Sequence, residues 1–159
     1  MNNIRTTLLS ILTMLLFPIY LSATNPSDNK TTDKPYTAEE IEDARILAVP
    51  IEEYRSLTSE MKELRRTGYA MLEFLTVENN QVKVTISKEE AIAKGISAAN
   101  YDRILSDLEA TNSFAKKTIE SGDSSFQFPN IKEAYKCYKR YLAGEITLDE
   151  FKNSKIYTN

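Results

Sequence analysis

The fold of this chain depends on residues 75–85, Leu-Thr-Val-Glu-Asn-Asn-Gln-Val-Lys-Val-Thr. Its central Asn-Asn pair tolerates the positive φ angles of a type I′ turn, the connection that suits two antiparallel strands. In that register Val77 lies opposite Val82 and Leu75 lies opposite Val84, so the apolar pairs share one face and the polar pairs share the other. This pattern predicts a half-buried β-hairpin.

A helical interpretation of the same region is the alternative. Apolar and small residues recur every three or four positions before the hairpin and could extend a helix through it: Met61, Leu64, Gly68, Met71, Leu72 and Leu75. That reading leaves the β-branched run at 82–86 without a partner strand. We therefore predict the hairpin.

Helices are predicted on both sides of the hairpin from capping boxes, in which a Ser or Thr and a Glu three residues later satisfy each other's free backbone N–H groups. The three boxes begin at Thr37, Ser87 and Thr147. Apolar residues at helical spacing follow them. Pro50 either ends the first helix or opens the second.

The predicted helices cover most of the remaining sequence. Their approximate ranges are 38–48, 51–66, 88–94, 98–120, 130–143 and a short segment from 148. We therefore expect a predominantly α member of the α+β class, with five or six helices packed around one small hairpin.

The N-terminal residues predict an exported protein. Residues 1–23 carry a single charge, Arg5, followed by an uncharged run of about 14 residues with a small residue, Ala23, at its end, which is the pattern of a secretory signal peptide. The apolar run is shorter than the roughly 20 residues of a bilayer-spanning helix. Residues 24–36 are polar and predict a flexible leader, so we place one globular domain at 37–159 and expect periplasmic or secreted localisation.

Two absences from the composition limit the possible chemistry. The chain has no histidine, which removes the commonest general base and the commonest zinc ligand. It has one cysteine, Cys137, so the domain has no internal disulfide and its thiol is either buried or paired with another molecule. No cluster of metal ligands or phosphate-binding loop occurs, and we expect no metal or cofactor.

The charge balance argues against nucleic acid as a partner. Without Arg5, the chain contains 19 basic and 23 acidic side chains. A nucleic-acid-binding surface needs clustered positive charge instead. Residues 90–104 resemble a helix-turn-helix, with Ala91 at the crossing point and Gly95 in the turn. The second helix of that motif would carry Arg103 as its only cation near the start, which is too little for a DNA-reading helix.

One stretch is a candidate binding site. In the helix predicted over 130–143, two tyrosines at helical spacing lie beside four basic residues: Tyr135, Tyr138, Lys132, Lys136, Lys139 and Arg140. Tyrosine and arginine are enriched at the centres of protein interfaces. The structural alternative is that the tyrosine rings are buried in the core while the lysines stay solvated.

These features favour a non-enzymatic module that binds another exported or envelope protein, such as an inhibitor, an immunity-like protein or an accessory subunit of an envelope assembly. The alternatives are a hydrolase of cell wall or glycan that uses carboxylates alone, and a glycan-binding module. Glycoside cleavage needs two separated acids, one of them with a raised pKa. No such pair is apparent in the sequence, so it assigns no catalytic residue.

Overall fold

The computed structural model describes residues 34–122, 128 and 130–154. Within this part of the chain there are seven α-helices and one antiparallel hairpin. The helices are α1 Ala38–Ile46, α2 Ile51–Tyr54, α3 Ser59–Met71, α4 Lys88–Ala93, α5 Ala98–Glu120, α6 Ile131–Leu142 and α7 Leu148–Lys152. The predicted fold class is confirmed. The predicted signal peptide and most of the predicted leader lie outside the described residues.

The hairpin has the predicted register. Strand β1, Leu75–Glu78, pairs with β2, Gln81–Val84, so that Val77 faces Val82 and Leu75 faces Val84. Both turn asparagines have positive φ angles of 52° and 56°, as a type I′ turn requires. A single turn of 3-10 helix, Leu72–Phe74, joins α3 to β1.

The outer edge of β2 is closed by a side chain of α5. The Asn112 amide accepts a hydrogen bond from the Val82 N–H at 2.8 Å and donates one to the Val82 carbonyl at 2.9 Å. An asparagine side chain carries the same donor and acceptor as a peptide group. Asn112 therefore takes the place of a third strand at this position and fixes the hairpin on α5.

All three predicted capping boxes are present, at Thr37, Ser87 and Thr147. In each, the Ser or Thr hydroxyl accepts from the backbone N–H three residues later, and the glutamate there accepts from the N–H of the capping residue. The helices α1, α4 and α7 begin where the sequence predicted them to begin.

The single helix predicted over 51–66 is wrong in two respects: it is two helices, and the second continues to Met71. A turn at 55–58 separates α2 from α3. The Thr58 hydroxyl accepts from the Met61 N–H at 3.2 Å and so starts a new helix, while the Ser56 hydroxyl donates to the Glu53 carbonyl at 2.6 Å. Short hydroxyl side chains compete in this way with the helical hydrogen bonds of their own segment.

The buried residues form two apolar clusters. The larger one brings together residues of α3, the hairpin, α4, α5 and α6, including Tyr69, Val82, Ala91, Leu108 and Tyr138. The smaller one lies within the N-terminal helices and consists of Ala44, Leu47 and Val49, with half-buried residues Ile51, Tyr54 and Leu57 packed against it. Among the described residues, no helix is both long enough and apolar enough to cross a membrane.

Candidate functional site

Helix α6 has two chemically different sides. Asn130 begins it by accepting, through its side chain, a hydrogen bond from the Glu133 N–H. Residues on its inner side are buried: Ile131, Ala134, Tyr138 and Tyr141. The four basic residues of the predicted site all lie on its exposed side: Lys132, Lys136, Lys139 and Arg140.

Tyr138 belongs to the inner side. It is 6% exposed, and its ring stacks on the Tyr69 ring with 4.4 Å between the centroids and 8° between the planes. Its hydroxyl donates to the Ile46 carbonyl at the end of α1, at 2.7 Å. Burial raises the pKa of Tyr138 to about 12, with a smaller contribution from Tyr141. The ring is therefore part of the core and is not offered to a ligand at the surface.

Two further rings complete this inner side. Phe151 of α7 stacks on Tyr141 at 5.4 Å and lies tilted against Tyr138 at 5.9 Å. Ring pairs at such distances stabilise a core by more than the burial of their apolar surface alone provides. These ring contacts pack α6 against α3 and α7 and leave its basic side facing outward.

Tyr135 lies at the border between the two sides. It is half-buried and packs against the larger apolar cluster, with Leu142 beside it on the same stripe of the helix. Burial raises the pKa of Tyr135, and the neighbouring Glu73 carboxylate adds to this increase because the phenol hydrogen-bonds to it. Of the two tyrosines in the predicted site, Tyr135 is the one that reaches the surface.

The four cations of the outer side differ in their surroundings. Lys136 forms an ion pair with Glu133 at 2.5 Å, and Arg140 forms one with Glu145 at 3.2 Å. Lys132 and Lys139 have no carboxylate of the described residues within ion-pair distance. The two lysines without such a neighbour are seven residues apart, on the same side of the helix as Tyr135.

Cys137 lies on α6 as well. Its thiol is half-buried and forms no disulfide. Its position on the helix is opposite to Tyr135, at the other border of the buried side and next to Arg140, three residues later.

The carboxylates with shifted pKa values are arranged as structural ion pairs or helix caps. The Arg55 guanidinium and the Thr37 N–H lower the pKa of Glu40 to about 2, and Arg45 lowers that of Glu42. Burial raises the pKa of Asp43, but hydrogen bonds from Arg66 and Tyr54 outweigh it and the net shift is downward. A glycosidase acid needs the opposite shift.

Metal binding finds no support in the described part of the chain. There, no group of three or more acidic or cysteine side chains is arranged to hold an ion. Nor do comparisons with known proteins suggest a function, since no family model, curated protein or solved structure matches this chain.

Proposed function

We propose that this chain is an exported, non-enzymatic module that binds another exported or envelope protein through the outer side of α6. It would act as an inhibitor, an immunity-like protein or an accessory subunit of an envelope assembly, in the periplasm or outside the cell. Binding would block or bridge a surface of the partner without covalent chemistry. The proposed export rests on residues 1–23.

The observation that carries this proposal is the division of α6 into an aromatic inner side and a basic outer side. Tyr138, Tyr141 and Phe151 pack the helix against the core, so the α6 backbone already presents its outer residues before a partner binds. Tyr135 adds a half-buried ring beside the lysines. Tyrosine and arginine, represented here by Tyr135 and Arg140, are enriched among the residues that dominate protein interfaces.

Two features make the alternatives less suitable. Carbohydrate recognition by stacking needs open aromatic faces, whereas Tyr138 and Tyr141 of α6 are buried and Tyr135 is half-buried. Hydrolysis by carboxylates needs a raised pKa, whereas the carboxylates with shifted pKa values have lowered ones. These features support binding of a protein over action on a glycan.

The test is capture with matched variants. The exported form, residues 24–159, is immobilised and exposed to the envelope and culture-supernatant fractions of the producing cell, and retained proteins are identified by mass spectrometry. The site variant carries Lys132→Gln, Tyr135→Ala and Lys139→Gln, and its folding is verified by circular dichroism. The control variant carries Lys116→Gln and Lys117→Gln on the exposed side of α5.

We expect one dominant protein to be retained by the wild type and the control and lost by the site variant. Retention of the same protein by the site variant would contradict binding through α6. Retention of no protein by the wild type would contradict a stable complex.

A further inference from the structure

We infer that the partner presents an acidic peptide segment and that Lys132, Tyr135 and Lys139 are the residues that contact it. This inference rests on the proposed function and specifies the chemistry of the same surface. It assigns direct contact to three of the six residues that the sequence singled out.

The assignment follows from which cations are already neutralised. Glu133 and Glu145 compensate Lys136 and Arg140 within the protein. An incoming carboxylate at those positions would have to compete with an existing pair. Lys132 and Lys139 have no such competitor among the described residues, so a carboxylate brought to them forms a new pair.

The spacing of the two lysines defines the shape of the ligand. Seven residues of α-helix place their Cα atoms about 10 Å apart along the helix axis. Successive side chains of an extended chain point to opposite faces, so acidic residues that share a face are two or four positions apart, about 7 or 13 Å. An extended segment with acidic residues at either spacing can reach both of the long, flexible lysine side chains, with its backbone lying across the ring of Tyr135.

The local charge favours an acidic partner over a basic or neutral one. Residues 131–146 contain four basic and two acidic side chains, and the Glu73 carboxylate lies against Tyr135, so this surface keeps a positive excess of one, whereas the whole chain contains 20 basic and 23 acidic side chains. This helix is thus a positive area on a negative protein, which both attracts an anionic segment and orients it. Four cations on one short helix, two of them paired, are few for a nucleic-acid surface.

The partly buried tyrosine distinguishes this surface from an ordinary solvated helix face. Packing against the apolar cluster already restricts the Tyr135 ring. A peptide that covers its exposed part therefore gains apolar contact at a low cost in side-chain entropy. Fluorescence of this tyrosine and the amide signals of its neighbours should both respond when a peptide binds.

The experiment titrates the isotopically labelled exported form with a synthetic hexaglutamate peptide and, as control, with hexalysine, and follows backbone amide signals by NMR. We expect saturable shifts confined to α6 between Lys132 and Lys139, which weaken as salt is added. Changing Lys132→Gln or Lys139→Gln should each weaken binding about two- to fivefold. The α5 control, Lys116→Gln with Lys117→Gln, should leave it unchanged.

Two results would overturn the inference. One is that hexaglutamate shifts the amides of other exposed lysines without an ion-pair partner among the described residues, such as Lys117 and Lys152, as much as those of α6. The other is that the α6 variants bind hexaglutamate as well as the wild type does. If capture retains one partner through α6 while either of these results is found, the proposed function stands and the acidic nature of the partner is wrong.

Discussion

At the scale of single residues, Tyr138 joins two parts of the chain that are far apart in sequence. Its hydroxyl reaches the Ile46 carbonyl, 92 residues earlier, and its ring contacts those of Tyr69 and Phe151, which also contact each other. Both the ring and the hydroxyl therefore contribute to stability, and the two contributions can be separated by substitution.

We expect Tyr138→Ala to lower the free energy of unfolding by about 3–5 kcal/mol, because it removes a buried ring and leaves a cavity. Tyr138→Phe should cost about 1 kcal/mol, because it keeps the ring and loses only the hydrogen bond. Urea denaturation measures both values. A near-neutral Tyr138→Ala would contradict the core position of this ring.

Buried phenols predict loss of stability in alkali. Burial raises the pKa of Tyr138 from 10.0 to about 12 and raises that of Tyr69 as well. A phenol whose pKa is higher in the folded state stabilises the fold fully below its unfolded value, and this stabilisation is lost as the pH rises through its folded value. We therefore expect the free energy of unfolding to fall between about pH 10 and pH 12.

Urea denaturation at a series of pH values, with phenolate absorbance recorded in parallel, measures this effect. Tyr138→Phe removes one of the phenols, so its stability should fall less steeply over the same range. Equal slopes for the wild type and this variant would show that Tyr138 does not titrate as its burial requires.

At the scale of elements, the hairpin turn sets the register of the sheet. Asn79 and Asn80 both adopt left-handed backbone angles, which cost more for alanine than for asparagine and least for glycine. The turn can therefore be tested with two substitutions at one position, one expected to lower stability and one expected to maintain or raise it.

We expect Asn80→Ala to lower the free energy of unfolding by about 1 kcal/mol, because alanine is strained at positive φ. Asn80→Gly should be at least as stable as the wild type, because glycine is the preferred second residue of a type I′ turn. Thermal and urea denaturation of the two variants provide the comparison. An Asn80→Ala variant more stable than Asn80→Gly would exclude this turn.

The elements whose ends depend on a few neighbouring residues were predictable from the sequence. A helix break at a position where the residues could equally continue the helix was not. The capping boxes and the hairpin register depend on residues within a few positions of one another, and all were predicted. The break at 55–58 lies inside an apolar stripe that is helical throughout, from Ile51 to Leu64. Thr58 was the local sign of this break, because a threonine side chain can cap a new helix instead of continuing the existing one.

Side-chain environment was less predictable than helix position. Ile41 shares a helical face with the buried residue Ala44 by its spacing, yet Ile41 is 54% exposed. Arg65 lies next to Arg66 in a charged part of α3, where exposure is usual for arginine, yet Arg65 is buried. In both cases the neighbouring element, which periodicity does not reveal, determines which part of the helix is covered.

At the scale of the whole molecule, α1 and α2 form a unit that is joined to the rest mainly by polar contacts. Their own apolar cluster is separate from the larger one, to which Ala48 provides a link. The contacts across the boundary include the Tyr138–Ile46 hydrogen bond, a hydrogen bond from Arg45 to the Leu142 carbonyl and an ion pair of Asp43 with Arg66. Such a unit can open without global unfolding.

We expect amide hydrogen exchange to report this opening. Protected amides between residues 44 and 57 should exchange with a lower opening free energy than those in the middle of α5, because fewer apolar contacts hold them. Asp43→Asn removes the ion pair with Arg66. It should lower the opening free energy of residues 44–57 and leave that of the middle of α5 unchanged. Equal opening free energies in both regions would show that the protein unfolds as one unit.

The candidate site was predictable in composition but not in arrangement. Helical spacing brought Tyr135, Tyr138 and the four cations together in the sequence. Which tyrosine faces the core is set by Ile46 and Tyr69, far away along the chain. Which lysines are compensated depends on Glu133 and Glu145, whose pairing becomes visible only once the helix and its following turn are built.

The central claim, that α6 presents its outer side to a protein partner, is tested most directly by site-specific photo-crosslinking. A photoreactive amino acid replaces Lys136 in the exported form, and a second preparation carries it in place of Lys116 on α5. Both are irradiated with the envelope and supernatant fractions of the producing cell. We predict one dominant protein crosslinked to position 136, and we predict that the same protein is not crosslinked to position 116. Equal crosslinking from both positions, or no crosslink from position 136, would contradict the account.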